Sequence, residues 1–131
     1  MSITEILERA NNGDSDAMME ACFYYYDQKD FDEAAKWAES AAEVGVERAP
    51  RMICALRSIL GLACCGIGAF DEALEEWSLV KKWAKYSLQK QQLNDENRTI
   101  ATGHLEDAEY YAAGHRWSSG GGAGAGFGYQ E

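Results

Sequence analysis

The segment 31–45 constrains most strongly how this 131-residue chain can fold. Small residues at Ala34, Ala38 and Ala41 lie three or four positions apart, so they share one helix face and let a second helix approach closely. The tetrapeptide Phe-Asp-Glu-Ala that opens the segment returns 39 residues later, at Phe70. A repeat of this period predicts an all-α helical array, an architecture that generally serves to bind other molecules.

Composition indicates one folded domain, because 47% of the residues are apolar and a single Pro accompanies four Trp and seven Tyr. The net charge of −10 is uneven: residues 1–47 carry −9, residues 48–98 carry +2 and residues 99–131 carry −3. The acidic front part disfavours nucleic acid and anionic membrane surfaces, and it favours a basic partner. The plainer interpretation is a solvated helical surface.

The N-terminus predicts a cytoplasmic protein, since it lacks a basic segment followed by an apolar core. Ser2 and Glu5 have the spacing of a capping box, so the chain is expected to begin directly in a helix. No apolar run is expected to approach the ~20 residues that a bilayer span requires. Four cysteines without a CxxC pair favour free thiols over disulfides or zinc ligands.

Capping residues, glycines and the single proline predict six helices joined by short turns. The first helix is predicted to end at residues 11–13. The other five are predicted, in chain order, over about 15–27, 30–45, 50–66, 70–93 and 94–114. Short turns between them indicate antiparallel pairs.

These pairs resemble tetratricopeptide-type repeats, and the first most closely resembles the Sel-like (SLR) branch. The stretch from Trp37 to Ala49 is similar to the SLR pattern W-x-x-x-A-A-x-x-G-x-x-x-A throughout. Leu60-Gly61 precede Ala73 by 13 and 12 residues, the spacing of a Leu-Gly-like pair in that family. Ala21-Cys22 precede Ala34 by the same spacing. The resemblance implies a short right-handed array of α–α hairpins.

The second unit is longer than the first. The step from Ala17 to Ala49 is 32 residues, whereas the step from Ala34 to Ala73 is 39. The difference of seven residues is nearly two helical turns, and we expect these turns in the fourth helix. The predicted organisation is an N-terminal helix over 1–12, two hairpins over 13–93, a closing helix over 94–116 and a Gly-rich tail over 117–131.

The tail is expected to be a linker, or alternatively a segment that anchors in a groove through Phe127 and Tyr129.

The resemblance also implies a binding groove, because the first helices of successive pairs line the concave face of such arrays. Rotation away from the packing positions places six residues toward this groove. They are Met19, Phe23, Tyr26, Ser58, Leu62 and Cys65. The alternative is that Phe23 and Leu62 pack against the N-terminal or the closing helix.

Two further clusters have a polar character. Lys81, Lys82 and Lys85 form a basic strip that would either clamp an acidic peptide or remain a solvated face. A second stripe could form a metal site or a general base with an orienting carboxylate, and it consists of His104, Asp107, Tyr111 and His115. His104 and His115 are about 16 Å apart along a helix, too far to bind one ion. The closer pair, His104 and Asp107, has no nucleophile or third ligand at a suitable spacing, so a structural surface pair is favoured.

The expected function is a non-catalytic scaffold that binds a partner protein or peptide, since no known nucleotide-binding, hydrolase or metalloprotease motif is present. Neither a cofactor nor a metal is expected. The alternative is a self-association module that forms homo-oligomers through the ends of the array or the tail.

Overall fold

The structure is a computed structural model that describes residues 2–113. These residues form six α-helices and no strand. The helices are α1 (Ile3–Asn11), α2 (Ser15–Asp27), α3 (Phe31–Glu43), α4 (Ala49–Gly66), α5 (Phe70–Lys90) and α6 (Asp95–Ala112). Each helix packs against the next one along the chain, and α4 also contacts α6. The all-α prediction is confirmed, and this consecutive packing is consistent with a helical-repeat array. The Gly-rich tail and the end of the expected closing helix lie outside the described residues.

Four of the six predicted helix starts are confirmed by side-chain caps. Ser2 Oγ accepts a hydrogen bond from the Glu5 amide (3.2 Å), and the Glu5 carboxylate accepts one from the Ser2 amide (3.0 Å), which completes the capping box. Aspartate and asparagine side chains cap three further helices in the same way, by accepting a bond from the third helical amide. These caps are Asp14 on α2, Asp30 on α3 and Asn94 on α6.

Three of the turns contain a glycine with positive φ, namely Gly13, Gly45 and Gly68. The turn between α2 and α3 differs, because Lys29 adopts the left-handed conformation there with φ of 63°. Helix α5 ends at Lys90, three residues before the predicted end. Gln91 is extended, and its side-chain amide donates a 2.7 Å hydrogen bond to the Glu47 carbonyl, so the chain turns away from the helix axis.

The seven added residues fall in the fourth helix, as predicted: α4 continues 17 residues beyond Ala49, whereas α2 continues 10 beyond the matching Ala17. Helix α5 is also longer than its counterpart, with 21 residues against 13 in α3. The second hairpin therefore extends beyond the first.

The core of the first hairpin consists largely of small side chains. Ala34, Ala38 and Ala41 are fully buried on α3, which confirms their predicted packing role. Cys22, on the facing helix α2, is also fully buried. Because none of these side chains is large, the helices pack at close range.

The second hairpin achieves the same packing with a different pair of residues. A Cβ atom on Gly61 of α4 would lie 2.7 Å from Cε2 of Trp77, closer than real Cβ atoms approach a neighbour. Trp77 is buried on α5, and its ring stacks on Tyr111 of α6 at 4.7 Å between centroids and 12° between planes. By spacing, Gly61 and Trp77 occupy the positions held by Cys22 and Ala38 in the first unit. The absent side chain of Gly61 thus makes room for the indole.

We predict that Gly61→Ala lowers the free energy of unfolding by about 1–3 kcal/mol, because the new methyl group overlaps a buried ring. Urea denaturation followed by circular dichroism measures the change. Gly103→Ala is the matched control: it also lies within a helix, but a Cβ there meets no atom within 4 Å. This control should be stabilising by up to ~1 kcal/mol, since alanine favours helix over glycine. Equal stability of the two variants would contradict the close approach.

Candidate functional site

The most exposed part of the predicted groove lies on α2. Phe23 and Tyr26 are 38% and 45% exposed, although both are large aromatic side chains. The Tyr26 ring meets the edge of Phe31 at 5.6 Å between centroids. The guanidinium of Arg48, the N-cap residue of α4, lies 5.6 Å from the centroid of the Phe23 ring. We call the pair of exposed rings, Phe23 and Tyr26, the α2 aromatic surface.

Met19 does not belong to this surface, and the prediction that it lines a groove is wrong. Its side chain is only 2% exposed and lies in the hydrophobic core. Helix α2 packs against both α1 and α3, so its first turns are covered from two sides. Ala17 and Met18 are buried in the same region.

The three groove residues predicted on α4 are half-buried. Leu62 and Cys65 pack against the hydrophobic core, and burial raises the pKa of the Cys65 thiol. The Ser58 hydroxyl is buried and has no hydrogen-bond partner among the described residues. For α4, therefore, the structure is closer to the packing alternative than to an open groove.

A charged cluster that sequence reasoning missed joins α3, α4 and α5. Arg57 of α4 is only 5% exposed, and three carboxylates surround its guanidinium. Nη1 donates to Asp32 at 2.9 Å and to Glu76 at 3.3 Å, and Nη2 donates to Glu39 at 3.4 Å. Two acidic residues come from α3 and one from α5, so a single arginine ties together three consecutive helices.

The charges in this cluster do not balance, since one buried cation faces three carboxylates. The hydrogen bond from Arg57 lowers the pKa of Asp32, which is the most exposed of the three acids. Burial raises the pKa of Glu76, and the opposite charge of Arg57 only partly counteracts that rise. Removing the guanidinium would leave three like-charged carboxylates without their shared counter-ion, and two of them, Glu39 and Glu76, are largely shielded from water.

The sequence does contain signals for this cluster. Arg57 interrupts an otherwise apolar stretch of α4, and a buried arginine requires acidic partners. Asp32 and Glu39 are seven residues apart, so they lie on one face of α3. Only the relative rotation of the helices, which the sequence does not give, brings them to Arg57.

Helix α4 is also apolar and long enough, by composition alone, to cross a membrane: its 18 residues have a mean hydropathy of 1.3. The expectation that no run approaches this length was therefore too strict. In the structure, 39% of that segment is buried within the protein, where α4 packs between α3 and α5. This packed helix also carries the ion-paired Arg57 within its apolar sequence.

The residues predicted to form a histidine stripe on α6 lie in different environments. Tyr111 stacks on Trp77 and is a packing residue, whereas His115 lies outside the described residues. Burial lowers the pKa of His104 and raises the pKa of Asp107, so burial opposes charge on each. Within residues 2–113, no three His, Cys, Asp or Glu side chains are grouped as metal ligands.

The four cysteines are free thiols, as predicted. Burial raises the pKa of Cys22 to about 11 and that of Cys54 to about 12, so both are protonated at neutral pH. The Cys54 thiol donates to the Val80 carbonyl at 3.6 Å. Neither buried thiol has the low pKa of a nucleophile.

No family model, curated protein or solved structure matches the chain. The function proposed below therefore depends on the residues and geometry of this chain.

We predict that Arg57→Ala lowers the free energy of unfolding by about 1–3 kcal/mol at pH 7, because it leaves the half-buried carboxylates of Glu39 and Glu76 without their counter-ion. In the variant, like charges raise the carboxyl pKa values above those of the unfolded chain. The folded state then binds more protons, so the variant should recover stability relative to wild type as the pH falls from about 7 to about 5. Urea titrations at both pH values measure this effect.

Lys36→Ala is the control, since Lys36 pairs with the same Asp32 at 3.2 Å but both side chains are more than half exposed. Its cost should be at most ~0.5 kcal/mol, without recovery at low pH. If Arg57→Ala showed the same small cost, the cluster would have no structural role.

Proposed function

We propose that the chain is a non-catalytic protein-binding module that binds a partner protein or peptide through the α2 aromatic surface. The observation that carries this proposal is the exposure of Phe23 and Tyr26 on a helix whose opposite side is firmly packed. Exposed aromatic rings on a rigid element are typical anchors of protein interfaces, because they bury a large area at low entropic cost. Arg48 contacts the Phe23 ring and Phe31 contacts the Tyr26 ring.

The charges near this surface favour a basic partner. Glu20, Asp27 and Asp30 are exposed on α2 and on the turn that follows it. Acidic groups around an apolar centre increase the rate at which a basic partner associates, and they disfavour acidic competitors. A partner with lysine or arginine beside an apolar side chain would complement both features.

We also propose that the two hairpins are Sel-like or tetratricopeptide-type repeats. The buried alanines of α3 and the matching positions of Cys22 and Gly61 support this assignment. A cytoplasmic location is proposed on the basis of the four free thiols, which persist in a reducing compartment.

The second candidate function is self-association, and one observation favours it. Ile67, in the turn after α4, is 81% exposed, and Leu74, near the start of α5, is 40% exposed. Exposed aliphatic side chains can bury their surface against a second copy of the chain.

We predict that the Phe23→Ala/Tyr26→Ala double variant loses at least about tenfold in affinity for the partner, because both anchor rings are removed. Capture by the immobilised wild-type chain, with quantitative mass spectrometry, identifies the partner, and titration with the purified partner gives the affinities. Val44→Ala/Ile100→Ala is the control, since it truncates two exposed aliphatic residues elsewhere, on the turn after α3 and on α6. Equal binding by both double variants would disprove a role for the α2 aromatic surface.

Light scattering during size-exclusion chromatography separates the two candidate functions. A monomeric mass at every concentration is expected for the binding module. Self-association would instead give a mass that rises with concentration and returns to that of a monomer in the Ile67→Glu variant, because a charge would be buried at the contact.

A further inference from the structure

A pocket of about 430 Å³ lies where α3 ends and α5 continues. Counted from the matching residues Ala34 and Ala73, α3 runs nine residues further to Glu43, whereas α5 runs seventeen further to Lys90. The excess of eight residues extends α5 by about 12 Å past the end of its counterpart. The pocket is thus a direct result of the longer second hairpin.

Two aromatic rings form the apolar part of this pocket. Trp83 is buried and Tyr86 is 40% exposed, with 5.5 Å between ring centroids and an edge-to-face angle of 66°. The Lys82 ammonium lies 5.0 Å from the centroid of the Trp83 ring. A flat apolar group entering the pocket would therefore contact Tyr86 and the accessible edge of Trp83.

The charged residues around the rings favour an anion. Lys82, Lys85 and Lys90 line the pocket together with one acid, Glu43, so the local charge is positive. This contrasts with the chain as a whole, whose net charge is −10. Ammonium groups next to a partly apolar cavity bind carboxylate or phosphate oxygens by charge-assisted hydrogen bonds.

We propose that this pocket is a binding site for a small aromatic anion, such as an aryl phosphate or an aryl carboxylate. The ring of the ligand packs against Tyr86 and the edge of Trp83, and its anionic group accepts hydrogen bonds from Lys82, Lys85 and Lys90. The volume lies within the range of about 300–1,000 Å³ that is typical of small-molecule sites. The site goes beyond the proposed protein-binding function, because it uses different helices and the opposite charge.

The test is an NMR titration of the full-length ¹⁵N-labelled chain with four probes that separate ring from charge. Phenyl phosphate has both features, inorganic phosphate has only the anion, benzyl alcohol has only the ring, and benzylamine has a ring with a positive charge. Phenyl phosphate should shift the amide signals of residues 82–90. We expect a Kd of about 1–10 mM, because so small a ligand makes few contacts with the protein. The other three probes should bind at least about tenfold more weakly.

Substitutions in the pocket should change this affinity in opposite directions. Lys85→Glu should weaken phenyl phosphate binding about tenfold, whereas Glu43→Gln should strengthen it about threefold by removing the one repulsive charge. Tyr86→Ala should weaken phenyl phosphate binding but leave the weak binding of inorganic phosphate unchanged. A general loss of structure cannot produce this combination of effects.

Lys29→Glu is the matched control, because it makes the same charge change near the other end of α3, about 20 Å away. At 0.15 M salt this distance exceeds the Debye length of about 8 Å, so binding should not change. The Phe23→Ala/Tyr26→Ala variant should also bind phenyl phosphate normally, which separates this site from the α2 aromatic surface.

Two results would overturn the proposal. One is that phenyl phosphate binds no better than inorganic phosphate, or is insensitive to Lys85→Glu. The other is that a tetraglutamate peptide binds at least tenfold more tightly than phenyl phosphate, since the pocket would then bind acidic polypeptide chains.

Discussion

The close approach of α4 and α5 at Gly61 is the constraint on which the rest of the structure depends. Because residue 61 lacks a side chain, Trp77 can lie directly against the α4 backbone. The indole then presents its other side to Tyr111, which positions α6. Arg57 lies one helical turn before Gly61 and faces Glu76, the residue next to Trp77. The apolar contact and the charged cluster therefore reinforce one another along the same pair of helices.

The first hairpin combines a core of small residues with exposed aromatic rings. Alanines on α3 allow α2 and α3 to pack closely. Tyr25, Phe31 and Trp37 are partly buried and pack against this core. Phe23 and Tyr26 lie at the surface, where Phe23 contacts Arg48 and Tyr26 contacts Phe31.

Local features of this fold could be predicted from the sequence, whereas those that depend on helix rotation could not. Asp30 and Asn94 mark helix starts because a cap acts within one turn of the chain. Whether Met19 faces solvent depends instead on α1, which covers α2 from a second side. The partners of Arg57 depend on three helices at once. The left-handed Lys29 had no sequence signal, because lysine lacks the glycine or asparagine preference that usually marks such a turn.

Gly61 and Trp77 also limit how this chain can vary. At the matching positions the first hairpin has Cys22 and Ala38, and both are buried. There a medium and a small side chain stand where the second hairpin has a glycine and a tryptophan. Exchanging one member alone produces either an overlap or an unfilled cavity, and both are costly in a packed interior. The two positions are therefore expected to change only together, and a hairpin transferred from one unit to the other must bring both residues with it.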